Sequence, residues 1–126
     1  MAWAECEFGA SRHRAQRGLT GCSNGGQFAL EMGLRHPDMF GHVFAFSKAG
    51  VPRFRLPDAK PEVLPTFHLA AGEWEPFYRG TLAVVDELKK HSVPHTFVSR
   101  VAGHDSTMWD EEIAAALIRA WSRTTK

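Results

Sequence analysis

The sequence predicts an α/β fold in which a mostly parallel sheet of about four strands is flanked by helices in three layers. Short apolar runs alternate along the chain with stretches whose apolar residues recur at helical spacing. One of these runs, residues 42–47, is continuously apolar, which favours a strand that is covered on both faces. The 126 residues suit one hydrophobic core, so we expect residues 1–126 to form a single domain.

The boundaries of the elements follow from proline and glycine residues that separate the apolar runs. Strands are predicted for residues 17–22, 42–47, 66–71 and 96–101. Helices are predicted for residues 27–36, for a stretch from Pro76 to residue 90 that has Pro76 as its first helical residue, and for residues 107–122. Thr107 and Asp110 are expected to cap the last helix. Residues 48–64 contain three prolines and are expected to be irregular.

Composition and charge exclude several classes of partner. The chain has 15 basic and 14 acidic residues, a net charge of +1, so no strong field would attract nucleic acid or an anionic membrane. No apolar run approaches the ~18 residues that a membrane span requires. Cys6 and Cys22 match neither a disulfide framework nor a metal site. We therefore expect free thiols, no metal or other cofactor, and a cytoplasmic location.

The strongest functional signal is the segment Gly21-Cys-Ser-Asn-Gly25, which follows the first predicted strand. It matches G-x-S-x-G, the turn that exposes a nucleophilic serine between a strand and a helix. Glycines two residues before and after Ser23 would allow a close approach that side chains block. The backbone N–H of Asn24, at the start of the helix, would face a developing oxyanion. The alternative is a glycine-rich turn in which Ser23 only caps the helix.

Two further signals follow later strands. His104 lies in the turn after the fourth strand, where the carboxyl ends of parallel strands bring it near Ser23 as a general base. An acid is needed to orient the imidazole, and both Glu73 and Glu75 follow the third strand. We favour Glu75, which precedes Pro76, but Glu73 remains possible. The order serine, acid, histidine is that of the α/β-hydrolases.

These motifs give the chain a resemblance to a known family. The segment at 17–26, together with residues 36–40, 71–76 and 103–109, resembles the esterase group of the α/β-hydrolases that includes enterochelin esterases. The resemblance implies a serine carboxylic-ester hydrolase without metal, with Ser23 as nucleophile, Glu75 as acid and His104 as base. Small or aryl esters would be its substrates.

The chain departs from that family in one large respect: it corresponds to the C-terminal half of the usual fold. The strands that normally precede the serine turn, and the loop that donates a second oxyanion N–H, have no counterpart. The first strand would then be an exposed edge. We therefore expect a homo-oligomer that pairs this edge, and a partner chain that restores the missing donor.

Two alternatives to an esterase remain at this point. The chain could be a catalytically incomplete remnant that acts as a binding or assembly module. It could also be a lactonase, peptidase or acyltransferase, because the fold alone does not select among acyl-transfer reactions.

Overall fold

The computed structural model describes residues 1–50 and 55–122, and residues 51–54 of the predicted irregular stretch lie outside the described residues. The described residues form four strands, four α-helices and two short 3-10 helices, at Arg14–Gln16 and Pro61–Val63. The strands are β1 (Gly18–Cys22), β2 (His42–Phe46), β3 (Thr66–Gly72) and β4 (His95–Arg100). The helices are α1 (Ala2–Phe8), α2 (Asn24–Arg35), α3 (Tyr78–Lys90) and α4 (Ser106–Trp121).

The sheet is parallel throughout, and its strand order β1-β2-β3-β4 is the order of the strands along the chain. The two central strands are almost completely buried, and for β2 this is what the continuous apolar run at 42–47 predicts. The outer strands β1 and β4 are partly exposed. The predicted α/β class with a parallel sheet is therefore confirmed.

The two faces of the sheet carry separate cores because successive side chains of a strand point to opposite faces. On β2, Val43 and Ala45 pack with apolar side chains of α2 and α3, such as Leu30 and Leu88. Phe44 and Phe46 pack on the other face against α4, whose Ala116 is fully buried. The result is a three-layer arrangement with the sheet in the middle.

Several predicted helix ends shift in the structure. Helix α2 begins at Asn24, three residues earlier than predicted, because the serine turn leads directly into it. Helix α3 begins at Tyr78, so the prediction that Pro76 is its first residue is wrong. The cap of α4 is Asp105, whose carboxylate accepts a hydrogen bond from the N–H of Met108 at 3.0 Å. Thr107 is not the cap, although it lies only two residues away.

Helix α1 has no counterpart among the predicted elements. It ends at Gly9, which has a left-handed backbone with φ of 63°, and its Glu5 forms an ion pair with Arg17 just before β1. That contact attaches α1 to the start of the edge strand. None of the helices within the described ranges is long and apolar enough to cross a membrane.

Candidate active site

Three side chains that the sequence singles out meet beyond the carboxyl ends of β1, β3 and β4. Ser23 Oγ lies 3.0 Å from His104 Nε2. On the other side of the imidazole, Nδ1 lies 2.9 Å from Glu75 Oε2. A carboxylate only accepts hydrogen bonds, so the proton facing Glu75 belongs to Nδ1. A neutral imidazole then leaves Nε2 free to accept the hydroxyl proton of Ser23.

The turn that carries Ser23 has the strained backbone of a strand-to-helix elbow. Ser23 has φ of 57° and ψ of −122°, a conformation that non-glycine residues rarely adopt. A Cβ on Gly21 would lie 2.1 Å from the carbonyl oxygen of Gly25, so only glycine fits there. A Cβ on Gly25 would meet nothing within 4 Å. The expectation that both positions require glycine is therefore wrong for Gly25.

Backbone hydrogen bonds hold Ser23 against the end of β2. Its N–H donates to the carbonyl of Phe46 at 2.9 Å, and its own carbonyl accepts from the N–H of Ala49 at 3.1 Å. Asn24 is the first residue of α2, so its N–H has no acceptor within the helix. That N–H is available beside Ser23, at the end of the helix where the dipole favours negative charge.

The two candidate acids occupy different environments. The Glu75 side chain is completely buried against His104, and its Oε1 has no hydrogen-bond partner among the residues that the structure describes. Glu73 is exposed and accepts a hydrogen bond from Ser99 Oγ at 2.8 Å. Glu75 is thus the carboxylate that contacts the imidazole, and Glu73 faces away from it.

The loops that carry the acid and the base are locked to each other by their backbones. A Cβ on Gly72 would lie 2.3 Å from the carbonyl oxygen of Ala102 and 2.6 Å from that of Gly103, so glycine is required at the end of β3. The N–H of Trp74 donates to the carbonyl of Ala102 at 3.1 Å. This close approach sets the separation of Glu75 and His104.

Three further side chains lie at or beside the site, and the sequence pattern assigned none of them a role, although Trp109 ends the segment 103–109 that resembles the esterase group. The Nε1–H of Trp109 donates to Ser47 Oγ at 2.7 Å. The ring of Trp109 also packs edge-to-face on His104, with centroids 4.9 Å apart, and Phe77 packs on the same imidazole at 5.1 Å. The contact of Trp109 with Ser47 spans 62 positions of the chain, so no local sequence pattern reveals it.

The sequence as a whole matches one family. A profile of the family described as "Putative esterase" matches residues 1–120. The chain belongs to this esterase family. No curated protein matches the sequence.

Solved structures share the fold of this esterase family member. S-formylglutathione hydrolase from Staphylococcus aureus is 20% identical with a TM-score of 0.78, and the match covers 94% of this chain and 56% of that one. A ferulic acid esterase is 21% identical with a TM-score of 0.79, over 94% and 56% of the two chains. The enterobactin esterase from Shigella flexneri is 23% identical with a TM-score of 0.81, over 95% and 35%. The chain therefore spans between a third and somewhat more than half of these proteins.

Other reactive groups near the site of this family member are less suited to nucleophilic chemistry. Burial, with a smaller contribution from Asp110, raises the pKa of the Cys22 thiol, which disfavours the reactive thiolate. Within residues 1–50 and 55–122, no group of three or more histidine, cysteine or acidic side chains is arranged to hold a metal ion. The Ser23 hydroxyl, by contrast, lies at the carboxyl end of the sheet within hydrogen-bond distance of an imidazole.

Proposed function

We propose that this protein is a serine carboxylic-ester hydrolase that acts through an acyl-enzyme. The observation that carries the proposal is the continuous hydrogen-bonded chain from Ser23 through His104 to Glu75. Serine, acid and base follow three different strands in the order found in α/β-hydrolases. Membership of the esterase family supports the same reaction class.

In the proposed acylation step, Ser23 Oγ attacks the ester carbonyl carbon and forms a new C–O bond. His104 Nε2 takes the hydroxyl proton, and the buried Glu75 carboxylate stabilises the imidazolium that results. The N–H of Asn24 stabilises the negative charge on the former carbonyl oxygen. The bond to the alcohol then breaks, and His104 returns its proton to the leaving alkoxide.

In the proposed deacylation step, water occupies the position that the alcohol has left. His104 Nε2 takes a proton from this water as its oxygen attacks the acyl carbon. The bond to Ser23 then breaks, and the proton on His104 passes to Ser23 Oγ. The carboxylic acid is released, and the enzyme returns to its starting state without a cofactor.

We infer small or aryl esters as the substrate class. Trp74, adjacent to Glu75 in the chain, is 75% exposed, so its indole offers apolar surface beside the proposed acid. The structural neighbours include proteins named as ferulic acid and enterobactin esterases.

We also propose a cytoplasmic location. The unpaired Cys6 is exposed, which favours a reducing compartment such as the cytoplasm.

The proposed chemistry is tested by replacing the nucleophile. We expect the wild-type protein to hydrolyse a small chromogenic ester and to gain the mass of a fluorophosphonate probe at Ser23, and Ser23→Ala to do neither. The matched control is Ser92→Ala, because Ser92 also has a positive φ, of 55°, but lies in the turn after α3. Equal turnover or labelling in wild type and Ser23→Ala would refute the proposal.

We also propose that two copies associate through the outer edge of β1. In the described part of the chain this edge pairs with no further strand, and unpaired strand edges favour association. A copy seated there would lie close to Ser23 and is the simplest source of a second oxyanion N–H. We expect sedimentation to find a dimer.

The edge contact is tested with an added charge. Thr20 is exposed on β1, so Thr20→Lys would place like charges across a two-fold contact and yield a monomer. The control Ala83→Lys adds the same charge at an exposed position of α3 and should leave the dimer intact. A wild-type protein that stays monomeric at all concentrations would contradict the proposal.

A further inference from the structure

We propose that Ser47 and Trp109 form a positioning pair that holds His104 at reacting distance from Ser23. The inference rests on the proposed function, and it assigns roles to two residues outside the serine–histidine–glutamate chain. Neither residue is proposed to touch the substrate. Their hydrogen bond links the segment that holds the nucleophile to the helix that follows the base.

Ser47 belongs to the same rigid segment as the nucleophile. It lies between Phe46 and Ala49, the two residues whose backbones bond to Ser23 on either side. Its own N–H donates to the carbonyl of Ala70 on β3 at 2.8 Å, which fixes it to the centre of the sheet. The Ser47 hydroxyl is therefore a fixed point relative to the Ser23 hydroxyl.

Ser47 differs from an ordinary core residue in both its polarity and its backbone conformation. It is 0% exposed and has φ of 49°, the left-handed region that favours glycine. A polar, strained residue at a buried strand end requires a compensating interaction. The indole N–H of Trp109 supplies a partner for its hydroxyl at 2.7 Å.

Trp109 belongs to the segment that carries the base. It lies in the first turn of α4, which begins immediately after the cap residue Asp105 and only two residues after His104. Its ring stands at 86° to the imidazole with centroids 4.9 Å apart, and Phe77 packs on the imidazole at 61°. These two rings restrict rotation of the imidazole, whose nitrogens face Glu75 and Ser23.

The indole–hydroxyl bond joins the segment that holds Ser23 to the segment that holds His104. Without it, the Trp109 ring is free to shift on α4, and the imidazole that packs on it loses one wall. The contact between His104 Nε2 and Ser23 Oγ then weakens, whereas the contact with Glu75 is held by Gly72 and its neighbours. Proton transfer needs a short, aligned contact, so kcat falls and KM does not.

The kinetic test uses variants that each remove one side of the bond. Trp109→Phe keeps an aromatic ring beside His104 but has no N–H, and Ser47→Ala removes the acceptor. We expect each to lower kcat for a chromogenic ester about tenfold. The double variant should lose no more than either single one, because both remove the same interaction. Trp121→Phe is the control: Trp121 is also on α4, and the variant removes the hydrogen bond of 2.8 Å that its indole N–H donates to the carbonyl of Ala15.

A second measurement does not depend on turnover. The ¹⁵N shift of His104 Nε2 reports the hydrogen bond from Ser23, and Ser23→Ala gives the value in its absence. We expect the shift to move toward that value in both Ser47→Ala and Trp109→Phe and to stay unchanged in Trp121→Phe. Thermal unfolding identifies any variant that fails to fold, and the other single variant then carries the test.

The outcomes separate this inference from the proposed function. If the wild-type protein does not hydrolyse esters but the His104 ¹⁵N shift still moves in Ser47→Ala and Trp109→Phe, the positioning pair is supported and the esterase proposal is refuted. Shifts and kcat that match wild type in both variants overturn the positioning pair and leave the esterase proposal intact. Additive losses in the double variant also overturn it, since independent effects would then be at work.

Discussion

At the scale of single residues, the chemistry of the site depends on environment more than on residue type. Glu73 and Glu75 lie two positions apart in one turn, yet one is exposed to solvent and the other is completely buried against His104. A buried carboxylate next to an imidazole interacts strongly with the charge that develops on it, because little water screens the pair. Of the two, Glu75 is the one that contacts His104, which is why we propose it as the acid.

Exchange of each carboxylate for an amide tests this difference. Glu75→Gln removes the charge and favours the wrong imidazole tautomer, so we expect kcat to fall by about 10⁴-fold. The matched variant Glu73→Gln should retain activity within a few-fold, because the Glu73 carboxylate bonds to Ser99 and not to His104. Steady-state hydrolysis of one chromogenic ester measures both. Comparable losses in the two variants would contradict the assignment of Glu75.

The sequence predicts some of these residues better than others. Ser23 lies in a local motif whose glycine spacing has a steric cause, and His104 and Glu75 follow from the position of strand ends. The roles proposed for these three residues stay predictions. The Ser47–Trp109 contact could not be predicted, because nothing local in the sequence marks two residues that meet only when α4 packs on the sheet.

At the scale of elements, the turn between β1 and α2 shows why one glycine matters more than its neighbour. Gly21 lies where its missing Cβ admits the backbone of Gly25, whereas Gly25 itself faces open space. The motif is symmetrical as written, but the turn is not. Only the first of its glycines is required sterically.

A pair of alanine variants tests this asymmetry. Gly21→Ala would place a methyl group 2.1 Å from a carbonyl oxygen, so we expect a large loss of folding stability, at least 3 kcal/mol in order of magnitude. Gly25→Ala lies in the first turn of α2 and should be neutral or stabilise by about 0.5–1 kcal/mol. Urea unfolding followed by circular dichroism gives both values. A Gly21→Ala protein as stable as wild type would show that the turn adopts another backbone.

The type and order of elements are predictable here, but their ends are not. Each of the four predicted strands is present, and the signal is clearest for β2, whose continuous apolar sequence matches its burial on both faces. Helix ends depend on capping contacts of single residues, such as that of Asp105, which several neighbouring polar residues could equally have made. Phe28 of α2 is 61% exposed, so an apolar residue does not by itself mark the buried face of this helix.

At the scale of the whole molecule, a buried polar cluster lies beneath α4. His68 Nε2 is 3.2 Å from His42 Nδ1, and His68 Nδ1 is 3.3 Å from Thr96 Oγ1. Phe44 stacks on His68 at 4.6 Å, and Trp121 covers His42. Burial, the neighbouring His42 and the charge of Arg119 lower the pKa of His68 to about 4.

This lowered pKa predicts a loss of stability in mild acid. The unfolded chain binds a proton at His68 below about pH 6.5, whereas the folded chain stays neutral there until about pH 4. The free energy of unfolding should therefore fall as the pH drops from 6.5 to 4, by on the order of 3 kcal/mol, and then level off for this group. Burial also lowers the pKa of His42, which adds to the effect.

Urea unfolding at a series of pH values between 7 and 4 measures how steeply the free energy of unfolding falls with pH. His68→Gln should flatten this dependence, because the group that takes up the proton is gone. His13→Gln, at an exposed position far from the cluster in the sequence, should retain the wild-type slope. Parallel curves for wild type and His68→Gln would show that other groups govern the acid transition.

Strand order and chain order coincide in this sheet, which matters while the protein is being made. The segment with Ser23 is synthesised before the segment with His104, which is the last of the four strand ends to emerge. Until that segment packs, the serine oxygen is an ordinary alcohol with no imidazole beside it. On the ribosome, the proposed nucleophile therefore stays unactivated until the segment with His104 has been made and has packed on the sheet.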